Sequence, residues 1–300
     1  MSSGRFAAHA SIAALALALT ACGGGGGGGP GSTPNPPAPT PTPVVVYTPM
    51  TAPLTSNTTY ETVGYDENLG GRPWATGVKI GYLVGSDTIR LEVQDGRQFD
   101  FDNPNPEFHP FEALVSFLGR PPTGSGMLQL AVAVAPVDEV PLTYLRMGRF
   151  VLINGTSADT VSTQFVFGSH TRDMPKTGTA TYSTIVSGDG RDRSSMLSPM
   201  YLFNVESDAA FTANFATGTV STMLHLIGVR ATGGGPATDF GTFSGSGAIS
   251  QQAFQGSFED VDRGGFWGSF FGPGGAEMGY GYMIVDGTFS SQGVVVGRKN

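Results

Sequence analysis

The stretch that decides the fold is Phe211-Thr212-Ala213-Asn214-Phe215-Ala216-Thr217-Gly218-Thr219-Val220-Ser221-Thr222-Met223-Leu224-His225-Leu226. Phe211, Ala213 and Phe215 alternate with Thr212 and Asn214. Val220, Thr222, Leu224 and Leu226 alternate with Ser221, Met223 and His225. A period of two gives each segment two unlike faces, as in a half-buried β-strand. Thr217-Gly218 between them suits a tight antiparallel turn. The same grammar continues outward, and eight strands are expected over about 177–186, 207–216, 218–228, 240–250, 252–258, 264–272, 276–285 and 291–297. Even spacing and short turns predict an up-and-down barrel, which closes on itself and leaves no edge. Gly recurs beside large aromatics, as in Phe254-Gln255-Gly256 and Phe270-Phe271-Gly272. Small-against-large filling is what a narrow barrel interior demands.

Upstream, Thr58–Val63, Val78–Val84, Thr88–Val93, Leu128–Ala135, Leu142–Ile153 and Val161–Phe167 also predict strands, being β-branched or aromatic and bounded by turn residues. Pro110, Phe111, Leu114, Val115 and Leu118 fall at helical spacing before Gly119, and predict one short helix. The fold class expected is therefore all-β, a β-rich handle-like domain followed by a small eight-stranded antiparallel β-barrel.

The first 43 residues differ in kind. Arg5 precedes an apolar run that is shorter than the ~20 residues a membrane span needs. It ends in Leu19-Thr20-Ala21-Cys22, which resembles the lipobox of bacterial lipoproteins. That resemblance makes residues 1–22 a signal peptide and Cys22, the single Cys of the chain, the lipid attachment point. It also implies several acyl chains on Cys22, enough for stable anchoring where one is marginal. Gly23, where related lipoproteins use Asp for inner-membrane retention, points to the outer membrane. Residues 23–43 hold eight Gly and seven Pro and no charge. They read as a tether of flexible coil and polyproline II, with a reach of roughly 60 Å at full extension. Domains are thus expected at 1–22, 23–43, 44–174 and 175–300.

Composition excludes several functions. Acidic residues outnumber basic ones 24 to 16 for a net charge of −8, the wrong sign for nucleic acid. One Cys forms no internal disulfide and no cysteine zinc site. Short strands with Ser, Thr, Gln and Asn on one row argue against a transmembrane barrel. There is no Gly-x-Ser-x-Gly elbow and no P-loop lysine. His109, His170 and His225 lack metal-ligand spacing, and are weighed as haem ligands only because of the relatives named below. Glu259-Asp260-Val261-Asp262, Asp189-Gly190-Arg191-Asp192 and Asp100–Asn105 read as acidic turns and not as calcium loops. No catalytic residue, metal or cofactor is expected.

Thr177–Tyr182, Phe211–Val220, Gly265–Pro273, Ala276-Glu277-Met278-Gly279 and Gly293–Lys299 follow one another in an order that resembles the β-barrel of the transferrin-binding protein B family and its lipoprotein relatives. The resemblance covers residues 175–300 and is weak before them. It implies a non-enzymatic ligand-binding surface lipoprotein, with an unknown protein or haem-carrier ligand, a role in iron acquisition and a TonB-dependent receptor as partner. It carries over no binding residue. The competing expectation is a structural or adhesive envelope lipoprotein without nutrient cargo.

Overall fold

The computed structural model describes residues 45–50, 56–65, 79–92, 96, 98–102, 115–119, 127–153, 160–194, 200–203, 206–232 and 235–300. The chain divides into Met1–Pro43 and Val44–Asn300, and every described residue lies in the second unit. Cys22, its lipobox, the tether and His109 lie outside the described residues.

The first half is built from β1 (Thr58–Tyr65), β2 (Lys79–Leu83), β3 (Thr88–Glu92), β4 (Gln98–Asp102), β5 (Val115–Gly119), β6 (Met127–Ala133), the two-residue strands β7 (Pro136–Val137) and β8 (Val140–Pro141), β9 (Leu145–Ile153) and β10 (Thr160–Gly168). Apart from β7 and β8, which pair with each other, they form one antiparallel sheet in the order β4-β3-β2-β1-β10-β9-β6-β5. The sheet curls until its edge strands β4 and β5 touch. Its concave face buries Ile80, Leu91, Phe101, Leu130, Phe165 and Phe167.

Two expectations are corrected in this half. Val115–Gly119 is a strand paired to β6 from Val115↔Val132 to Gly119↔Leu128. Helical spacing over so short a run yields here to ladder pairing with an existing sheet, while 110–114 lie outside the described residues. Asp100 and Asp102 sit on β4, where Phe99 and Phe101 are buried and Gln98, Asp100 and Asp102 exposed. That alternation is a strand signal, and Asn103–Asn105 lie outside the described residues.

The second half comprises β11 (Thr179–Asp192), β12 (Met200–Phe203), β13 (Asp208–Asn214), β14 (Thr219–Arg230), β15 (Thr238–Ser250), β16 (Ala253–Phe258), β17 (Arg263–Phe271), β18 (Glu277–Asp286) and β19 (Phe289–Lys299). Each pairs antiparallel with the next around the ring, and β19 returns to β11 from Tyr182↔Lys299 to Asp192↔Phe289. β13 pairs with the start of β11 and β12 with its later part, so these two pieces share one position and the barrel has eight. The expected all-β handle-and-barrel architecture is what the chain adopts.

The barrel interior is filled. Phe254 lies 5.0 Å, ring to ring, from both Phe211 and Phe270. Gly268 makes room for it, since a Cβ there would fall 2.2 Å from the Phe254 ring. The Tyr280 hydroxyl is satisfied by Thr222 Oγ1 at 2.7 Å. Among the described residues the interior is close-packed with side chains. On the outside, Phe271, Val294 and Val296 pack against Val63, Leu145 and Val166 of the first sheet.

Candidate functional site

Functional groups gather at two places, the seam between sheet and barrel and the barrel end that carries the longer loops.

At the seam stands Glu277, at the start of β18 and 3% exposed. Its carboxylate accepts backbone N–H bonds from Thr143 at 2.6 Å, Tyr144 at 2.8 Å and Leu145 at 3.1 Å. Burial pushes its pKa up, against the opposing pull of those three amides and of Arg298. Arg298, opposite Glu277 on β19, donates to the carbonyls of Val140 and Pro141 at 2.7 and 2.9 Å. Arg146 closes the same turn from within, donating to the carbonyls of Leu142 and Leu145, both at 2.7 Å. Gly272, at φ +71°, lets the chain pass under the Tyr144 ring. Gly279 sits on Val166, 3.1 Å from where a Cβ would be. Within the sequence motif, Gly272 and Glu277 therefore grip residues 143–145, and Gly279 packs on Val166. These contacts hold the two halves together. Leu142–Tyr144, expected as strand, are this gripped turn, and β9 begins after it.

His170 lies in the same seam. Its ring stacks on Phe271 at 4.7 Å. Nδ1 meets Ser269 Oγ at 2.8 Å and Nε2 the Glu61 carbonyl at 3.4 Å. Burial pushes its pKa down. His225 is placed on the outer face of β14, with Asp208 3.2 Å from Nδ1 and Asp239 3.2 Å from Nε2. In both histidines each ring nitrogen is already engaged. Glu259 meets Ser246 Oγ at 3.5 Å, and Asp262 accepts from the Gly287 amide at 2.9 Å. Asp189 faces the first sheet, 3.6 Å from Arg149. Among the described residues no three His, Cys, Asp or Glu side chains gather as metal ligands.

The loop end was not singled out by sequence. There Phe240 stacks on Phe289 at 4.6 Å and Tyr201 meets Phe240 edge-on at 4.8 Å. Phe203 lies beneath them, 5.5 Å from Phe240. Gly228 makes room, since a Cβ there would strike Phe203, Phe240 and Tyr201 within 3 Å. Phe240 and Phe289 are only half-buried, and Arg191, Arg193, Arg230, Asp208, Asp239 and Asp286 around them are exposed. The opposite end carries the Pro273–Gly275 turn, where Gly274 donates to Asp173 and Asp173 accepts from Tyr47 near the start of the described chain.

Residues 174–299 match the family described as C-lobe and N-lobe beta barrels of Tf-binding protein B. Over those residues the chain is similar to that family's barrels. Among solved structures, transferrin binding protein B of Haemophilus parasuis Hp5 aligns at TM-score 0.46 and 13% identity, over 82% of this chain and 45% of that one. That of serogroup B Neisseria meningitidis aligns at 0.43 and 13%, over 82% and 44%. The N-lobe domain of lactoferrin binding protein B of Moraxella bovis aligns at 0.34 and 12%, over 81% and 98%. The chain thus spans less than half the length of the two transferrin-binding structures. No curated protein sequence matches it.

Proposed function

We propose that this chain is a lipid-anchored outer-membrane or cell-surface lipoprotein that captures a protein ligand on the loop end of its barrel and catalyses no reaction. The observation that carries this is the half-exposed Phe240–Phe289 pair within a charged rim, at one end of a barrel otherwise filled. Aromatic anchors inside a polar rim are the anatomy of protein-binding hot spots. A packed interior leaves only outer surfaces for binding. The family of the barrel supports a protein ligand, with iron carriers as the first class to test and a TonB-dependent receptor as the downstream partner. Anchoring rests on Leu19, Thr20, Ala21 and Cys22, with residues 23–43 as tether and 44–174 as handle. Tyr47 lies at the end of the barrel away from Phe240, which suits presentation of the loop end outward.

The test is binding of transferrin, lactoferrin and haemoglobin to the full-length chain by surface interferometry. Saturable binding of one of them, weakened tenfold or more by Phe240→Ala with Phe289→Ala, is expected. Binding that those variants leave unchanged, or none to any of the three, contradicts the proposal. The structural or adhesive alternative draws on a different face. Thr212, Ser221, Ser246 and Ser257 stand in register across β13–β16, an uncharged outer row with none of the features of a protein hot spot.

A further inference from the structure

Strand β1 changes neighbours midway. It pairs with β2 over Thr58–Glu61 and with β10 over Thr62–Tyr65. The flank of Thr58–Glu61 turned away from β2 has no strand beside it among the described residues. β10 leaves β1 at Gly168, which lies so close to Tyr144 that a Cβ would fall 2.0 Å from its carbonyl oxygen. The chain then crosses to the barrel, where His170 forms a bridge with Phe271.

Main-chain groups alternate from side to side along an antiparallel strand. The Thr58 carbonyl faces Gly81 on β2, and the Glu61 carbonyl faces the other way, toward His170. The N–H and C=O of Thr59 therefore share the open flank with the N–H of Glu61, whose carbonyl is already met by His170. Across from them, the bonds flanking the His170–Phe271 pair run from Thr171 N to the Phe270 carbonyl at 2.9 Å and from Gly272 N to the Ser169 carbonyl at 2.8 Å. They occupy the Ser169 carbonyl and the Thr171 amide, so the main-chain groups of His170 point away from the barrel. Both edges line one groove of about 830 Å³, bordered also by the Gln251-Gln252 turn and by residues 46–48, where Ser169 Oγ donates to the Thr48 carbonyl at 2.8 Å and the Arg172 amide to the Tyr47 hydroxyl at 2.6 Å.

We propose that this groove binds an extended peptide, added as a strand between β1 and residues 169–171. Thr59 N–H and C=O and Glu61 N–H on one edge, and His170 N–H and C=O on the other, suit a short stretch of polypeptide main chain, and β-strand addition is how proteins use such edges. Recognition is mainly through the peptide backbone, with Thr58, Tyr60, Arg172 and Met174 setting which side chains fit. The proposal does not depend on capture at the loop end, which lies on a different part of the barrel.

The test uses the full-length chain, labelled for NMR, and an acetylated, amidated octapeptide of alternating Thr and Val. In the free protein the amides of Thr59 and Glu61 exchange quickly while that of Tyr60, bonded toward β2, is protected. Titration of the peptide shifts resonances of residues 58–61 and 169–172 and protects Thr59. N-methylation of alternate peptide amides weakens binding by about tenfold or more, the worth of two or three lost hydrogen bonds. Thr59→Pro abolishes it, and because that variant also strains β1, the N-methylated peptide is the deciding control. Thr59 protected in the free protein, no binding by the unmodified peptide, or equal binding of both peptides overturns the proposal.

Discussion

Glu277 Oε1 lies 2.6 Å from the backbone nitrogen of Thr143, so a side chain of the barrel ties down the main chain of the other half. The carboxylate is buried and spends itself on three successive amides. Glu277→Ala leaves those amides without a partner and should destabilise the protein by about 2–4 kcal/mol. Glu277→Gln keeps one acceptor oxygen and should cost less. Urea unfolding of the two variants checks this, and equal midpoints for wild type and Glu277→Ala would show the latch to be idle.

His170 sets the sign of one pH effect. Its folded pKa lies below the ordinary 6.5 because burial disfavours the charged ring. The unfolded chain therefore binds the proton first. The stability this group contributes is complete above about pH 6.5 and falls away as the pH drops toward the lower folded value. Glu277 works in the opposite sense, since its folded pKa is raised: its contribution is present at low pH and lost as pH rises through the folded value. His170→Phe should flatten the decline of stability just below pH 6.5 while leaving the more acidic limb in place. An unchanged slope would mean that His170 is not the titrating group.

Inside the barrel, Gly268 and Phe254 are a matched pair. Gly268→Ala puts a methyl into the Phe254 ring and should cost about 1–3 kcal/mol. Phe254→Leu in the same chain should recover part of that loss, so that the double variant is more stable than additivity predicts. Strict additivity would mean the two residues do not share the space.

Haem should find no ligand in the described residues. Both nitrogens of His170 and of His225 are occupied, and the barrel interior is packed with aromatic side chains among the described residues. Titration of the full-length chain with haemin should leave the Soret band of free haemin without a saturable shift. A shift that vanishes in His170→Ala or His225→Ala would contradict this placement.

Much of the barrel was legible because its strands alternate strictly. Phe211–Phe215 and Val220–Leu226 show an inner apolar row and an outer polar one, and the turns between strands are short. The first half was harder. β4 hides its Phe99 and Phe101 among acidic residues that suggest a turn, and Val115–Gly119 is too short for periodicity to separate helix from strand. The motif was recognised but its work was not. That Glu277 serves residues 143–145, more than 130 positions away, follows from a tertiary contact with no local signal. The Phe240–Phe289 pair was likewise invisible, since two isolated aromatics become a cluster only when β15 and β19 reach the same barrel end.

Acyl anchoring at Cys22 and exposure at the cell surface are both read by protease shaving of intact cells that express the chain, with metabolic labelling by palmitate. The label is expected to enter the wild-type chain and not Cys22→Ala, and protease added outside to remove residues 44–300 from unbroken cells. A chain that stays unlabelled, or that is cut only after the cells are broken, would contradict the proposed anchoring and exposure.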